Sequence, residues 1–188
     1  MKALVVYESM FGNTRHIAEA IAEGLSSSIP TEVLLARDAG NDDLEGVGMV
    51  VVGGPTHAWG MTGSRSREGA VADAAKHPDH LLDTQALGPG VREWLHDLDR
   101  HHGCYATAFD TRFDKPKALT GSAARKIQHR LHRSGFSTLA EPHSFVVTGM
   151  AGPLAPGEVE RATQWGHALG LTFVKMTAAG AKPAKIAA

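Results

Sequence analysis

The sequence predicts an α/β fold: a single doubly wound domain with a five-stranded parallel sheet and helices on both faces. Three observations carry this. Ala3-Leu4-Val5-Val6 and Val47–Val52 are short continuous apolar runs, as expected of strands buried on both faces. Stretches of helical period follow, with Ile17, Ile21 and Leu25 on one face and Val159, Ala162, Trp165, Leu169 and Phe173 on another, as amphipathic helices require. Strand-like and helix-like stretches alternate five times, which predicts right-handed crossovers around a parallel sheet.

Taken in order, Lys2–Tyr7 is the first strand and Thr14–Ser27 the first helix, with Arg15, Glu19 and Glu23 on its outer side. Ser26–Pro30 stops that helix, and Thr31–Ala36 is the second strand. Asn41–Glu45 is a turn or a single helical turn, and Val47–Val52 is the third strand. A glycine-rich loop runs from Gly53 to Gly63, a short helix covers Arg65–Lys76, and His77–Pro89 is loop. Val91–Leu98 is helical, Gly103–Phe109 is the fourth strand and Asp110–Thr120 a loop. Gly121–Arg133 is a helix, with Ile127 and Leu131 in register. A fifth strand covers Gly135–Leu139 and Ser144–Val147, interrupted at Glu141-Pro142 because proline cannot donate to a ladder. Gly157–Thr177 closes the domain, which spans residues 1–178, and residues 179–188 are expected to fray.

Bulk properties narrow the function. The chain has 188 residues, 43% hydrophobic and 21% charged, with a net charge of −1. That is an ordinary globular composition, without a basic footprint for nucleic acid. No apolar run approaches the roughly 20 residues of a membrane span. The single Cys104 leaves no internal disulfide and fits a reducing cytoplasm. Eleven histidines raise the question of a metal, but His77/His80, His101/His102 and His129/His132 lack partners at ligand spacing. No metal is therefore expected. Cys104 reads as a small core residue.

In doubly wound sheets ligands bind beyond the C-terminal strand edge, so the loops after strands 1, 3 and 4 are the candidates. The first loop, Ser9-Met10-Phe11-Gly12-Asn13-Thr14, puts small polar groups at a helix N-terminus, where unpaired N–H groups and the helix dipole favour a phosphate. It has neither the lysine of a GxxxxGK[ST] loop nor the glycines of G-x-G-x-x-G, so it suits a monophosphate held by neutral donors. An ordinary N-cap on Asn13 or Thr14 is the plainer alternative.

This loop resembles that of the flavodoxin family, [ST]-x-[ST]-x-G-x-T, at Ser9, Gly12, Asn13 and Thr14, and departs from it at Phe11. The resemblance implies FMN as cofactor, its phosphate held by Ser9–Thr14, and the strand order 2-1-3-4-5. The second loop packs three glycines, a proline and a tryptophan into the nine residues Gly53–Met61. Trp59 offers a flat apolar wall and the glycines allow close backbone approach. In flavodoxins a Trp followed by Gly is common here, and the next peptide turns its carbonyl toward flavin N5–H on reduction. Carried over, that peptide is Gly60–Met61, and Pro55, Thr56, His57, Ala58, Trp59 and Gly60 are cofactor-binding. The third loop follows strand 4. Phe109 or Phe113 stands where many flavodoxins have a tyrosine, with Asp110 and Thr111 beside the pyrimidine edge. Asp110 is either a flavin N3–H acceptor or a turn cap, and Arg112 either a cation at the ring or a surface charge.

The implied function is an FMN-binding redox protein passing electrons to a partner protein or a small-molecule acceptor. Dedicated flavodoxin carriers are strongly acidic, and a net charge of −1 is not. Gly-Gly-Pro-Thr-His-Ala-Trp-Gly-Met also resembles the loop of NAD(P)H:quinone reductases of the same superfamily. That makes an FMN-dependent oxidoreductase the first alternative, with Arg65–Pro89 covering a substrate site or a subunit contact. A flavin-free scaffold on the same fold is the second.

Overall fold

The computed structural model describes residues 1–57, 60–83, 86–100, 103–116 and 120–180. Strand β1 (Lys2–Tyr7) leads into α1 (Asn13–Ser26), β2 (Thr31–Leu35), a 3-10 turn at Asp42–Leu44 and β3 (Val47–His57). There follow β4 (Gly60–Met61), α2 (Ser64–Lys76), α3 (Val91–Asp97), β5 (Tyr105–Phe113), α4 (Ala123–Arg133), β6 (Ser137–Thr138), β7 (His143–Val147) and α5 (Glu158–Ala178). The sheet order is β2-β1-β3-β5-β6, with β7 also on β5. With β6 and β7 read as one broken strand, this is the expected 2-1-3-4-5 order, parallel apart from β4.

The apolar runs fill both faces. Ala3 and Val5 pack under α1 and α5, while Leu4 and Val6 pack under α3 and α4, all four fully buried. Ile17, Ile21 and Leu25 form the buried stripe of α1. Val159 is instead exposed on α5, whose buried positions are Ala162, Gly166, Leu169, Gly170 and Phe173.

Two strands are longer than the sequence indicates. β3 continues through Gly53-Gly54-Pro55-Thr56-His57 and folds back as a hairpin onto β4, pairing Thr56 with Met61 and His57 with Gly60. The β1 ladder ends at Tyr7↔Gly53, whereas β5 pairs as far as Pro55↔Thr111. Pro55 therefore sits where one side of β3 is vacant, and a missing N–H is tolerated there. β5 runs to Phe113 because β7 pairs with Phe109 through Phe113. The break at Pro142 separates β6 from β7, and Thr107 Oγ1 bridges the gap by donating to Ala140 O at 3.0 Å.

Cys104 lies buried at the start of β5, among Ala106, Ile127 and Leu131. Burial pushes its thiol up to about 12, leaving a thiolate fraction of about one in ten thousand at pH 8. Native protein is expected to resist iodoacetamide and to react rapidly once unfolded in urea. Equal labelling rates in the two states would contradict the burial.

Candidate functional site: a cleft at the C-terminal edge of the sheet

A cleft of about 530 Å³ opens where β1, β3 and β5 end, within the roughly 300–1,000 Å³ of small-molecule sites. Met10, Phe11, Asn13 and Thr14 line it from the first loop, Pro55, Thr56 and His57 from β3, and Thr111, Arg112 and Phe113 from β5. The structure thus brings together all three expected segments.

At the α1 end, Gly12 holds a left-handed φ of +82° at the cap position and no side chain caps the helix. Glycine takes this conformation without strain. The plainer N-cap alternative for Asn13 and Thr14 is therefore not what the chain does. Asn13 Nδ2 donates to Ala151 O at 2.9 Å, tying the loop to the turn after β7. Thr14 Oγ1 lies 2.8 Å from Thr111 Oγ1, joining α1 to β5 at the cleft. The first-turn N–H groups of α1 have no intrahelical acceptor. Phe11, half-buried, meets the His80 ring edge-on at 6.1 Å.

Other expected site residues lie elsewhere. Phe109 is fully buried, edge-on to Phe145 at 6.2 Å, and its ring occupies the space that a Cβ on Gly53 would fill. Phe109 is therefore a core residue, and Phe113, 42% exposed, is the β5 aromatic at the cleft. Asp110 is fully buried and does not line the cleft. Its Oδ2 accepts from Ser122 Oγ, Ala124 N and Thr56 Oγ1 at 2.7, 2.9 and 2.9 Å. Through Oδ2 the carboxylate anchors the N-terminus of α4, as the capping alternative has it, while its buried Oδ1 has no partner among the described residues. Ser9 is buried on a separate void of about 10 Å³, and its Oγ has no partner among the described residues. Gly60 lies in β4 with Lys126 against it, so a Cβ there would meet the lysine side chain closer than 3.0 Å. The lysine end can swing aside, so this contact does not by itself require glycine, and φ at 60 is not left-handed in this structure. Ala58 and Trp59 lie outside the described residues, as do His101, His102 and residues 181–188.

Three further contributions shape the cleft. Arg112 is buried rather than a surface charge. Its Nη2 donates to Lys115 O at 2.5 Å and also to Thr120 Oγ1, and its Nε is buried with no partner among the described residues. Ser66, Gly69, Ala70 and Asp73 of α2 wall one side, as expected for a segment covering a site. Val147, Gly149 and Met150 complete the rim.

A buried ionic network positions α2. Arg67 Nη1 lies 3.4 Å from Glu8 Oε1 and its Nη2 lies 2.8 Å from Glu93 Oε1. Glu8 also accepts from Thr62 Oγ1 at 2.5 Å and Val91 N at 3.0 Å. Burial alone would raise the Glu93 carboxyl, but the Arg67 guanidinium and the Gly90 N–H outweigh it and hold the group below the usual range. A depressed carboxylate stabilises the fold above its unfolded value of about 4.3 and loses that contribution as pH falls through the folded value. Wild type should therefore lose melting temperature more steeply than Glu93→Gln as pH is lowered from about 5. Parallel profiles would remove Glu93 from the acid response.

Among the described residues no group of His, Cys, Asp and Glu could hold a metal, and no helix is long and apolar enough to cross a membrane.

The topology, with a cleft at the ends of β1, β3 and β5, defines a flavodoxin-like fold. The family model for the flavodoxin domain matches residues 4–66, the part holding the first loop and the hairpin. No curated protein matches the sequence. Among solved structures, the chain is similar to oxidised flavodoxin 1 from Bacillus cereus, with 21% identity over 93% of this chain and 98% of that one and a TM-score of 0.60. It is also similar to the flavodiiron protein from Giardia intestinalis, with 21% identity over 96% of this chain and 38% of that one and a TM-score of 0.54. A third is the flavodoxin, WrbA-like protein from Agrobacterium tumefaciens, with 17% identity over 93% and 98% and a TM-score of 0.52.

Proposed function

We propose that this protein binds FMN in the cleft and transfers electrons through it. One observation carries the reading: the uncapped N-terminus of α1 opens into an apolar-walled cleft at the edge of the sheet where ligands of this fold bind. The residues present suit the cofactor. The α1 first turn and Asn13 would face the phosphate, and Met10, Pro55, Phe113 and Met150 offer apolar surface, with Arg112 as the cation of the lining. Bound FMN would supply the redox chemistry, while the protein orients the ring and excludes water.

Trp59 is proposed as a further ring wall from its sequence position. Trp59→Ala is expected to weaken FMN binding by about 1–3 kcal/mol, read by fluorescence titration. Unchanged affinity would take Trp59 out of the site.

The second reading, an FMN-dependent NAD(P)H:quinone oxidoreductase, is favoured by the α2 wall, which adds an enclosing side to the cleft. Steady-state NAD(P)H oxidation with a quinone separates the two. Turnover above that of free FMN supports the reductase, and its absence leaves the electron carrier.

A further inference from the structure

Helix α4 contains no acidic residue and repeats basic residues at helical spacing: Lys126, His129, Arg130 and Arg133 stand at i, i+3, i+4 and i+7. With Arg125 they line one side of a groove of about 710 Å³, which Arg92 and His96 of α3 line from the other side. Among the described residues no Asp or Glu lines the groove, and Met61 and Leu95 add apolar surface. Arg92 is held in place, its Nε donating to Thr62 O at 2.7 Å and its Nη2 to Met61 O at 2.5 Å. Among the described residues no ion pair engages Arg92, Arg125, Lys126, Arg130 or Arg133.

For a chain of net charge −1, this is a concentrated local field. Like charges facing one another across a concavity repel, and an anion relieves that repulsion. The planar fork of arginine matches phosphate oxygens in pairs. The cations converge from two helices on a volume suited to a small molecule, rather than spreading along an extended face as a nucleic-acid track would. We propose that the groove between α3 and α4 binds a small polyphosphate anion, with a pyrophosphoryl group as the chemistry recognised. The site is separate from the FMN cleft, although Met61 borders the groove and Thr62 the cleft.

The test is calorimetric titration of the full chain with inorganic pyrophosphate at low ionic strength. Saturable binding near one equivalent is expected, weakening as salt is added. The Arg130→Gln/Arg133→Gln variant should bind about tenfold more weakly or worse, with circular dichroism and FMN affinity unchanged. The control Arg37→Gln should bind as wild type does. NADPH titrated in the same way distinguishes the source: tighter binding than pyrophosphate points to a dinucleotide, equal binding to the free anion. Absence of saturable pyrophosphate binding, or equal binding by the double variant, would overturn the proposal. So would binding of heparin alone, which would mark a surface for long polyanions.

Discussion

Arg67→Ala is expected to lower the free energy of unfolding by about 3–5 kcal/mol, the cost of leaving a buried carboxylate without its cation. The side chains of Glu8 and Arg67 are only 6% and 10% exposed, so water cannot replace the guanidinium. Glu8 would keep the Thr62 hydroxyl and the Val91 N–H but no positive charge. The network joins the end of β1 to the first turns of α2 and α3, so its loss also frees the α2 wall of the cleft. Urea denaturation measures the effect. Pairing Arg67→Met with Glu8→Gln removes both charges and should recover much of the stability. A loss below about 1 kcal/mol in Arg67→Ala, the level of an exposed pair, would mean that the network is solvated.

The second large effect lies where α1 crosses α5. A Cβ on Gly166 would stand closer than 3.0 Å to the Ile21 carbonyl, and one on Gly24 closer than 3.0 Å to the Thr163 carbonyl and the His167 N–H. These neighbours are backbone atoms and cannot rotate away, so a side chain must push the helices apart. Gly166→Leu is expected to destabilise by about 1–3 kcal/mol or more, read as a fall in melting temperature. Gly69→Ala is the contrast: α2 leaves open space there, and the change should stabilise by about 0.5–1 kcal/mol. Equal effects at the two positions would contradict the close crossing.

What the sequence revealed follows from which signals are local. Ala3–Val6 and Val47–Val52 announce themselves because a strand covered on both faces is apolar at every position. The α1 loop is legible because a helix N-terminus leaves its N–H groups unpaired whatever surrounds it. The extension of β3 through Gly53-Gly54-Pro55 was not, since those residues are turn formers and only pairing with β5 and β4 makes them strand. Asp110 allowed two readings because a capping acid and a ligand-binding acid look alike until their partners are known, and those partners, Ser122 and Ala124, come from α4. The Glu8–Arg67–Glu93 network had no local trace, as Glu8 and Arg67 are 59 residues apart. The opposition of the α4 basic residues to Arg92 likewise required the fold, since it joins two helices distant in sequence.

The most direct test of the central claim is a fluorescence titration of flavin-stripped protein with FMN and, in parallel, with riboflavin, which lacks the phosphate. A phosphate seated at the α1 N-terminus predicts FMN quenching that saturates near one equivalent, with riboflavin binding about tenfold more weakly or worse. Protein that leaves FMN fluorescence unchanged, or that binds the two flavins equally, would contradict the claim.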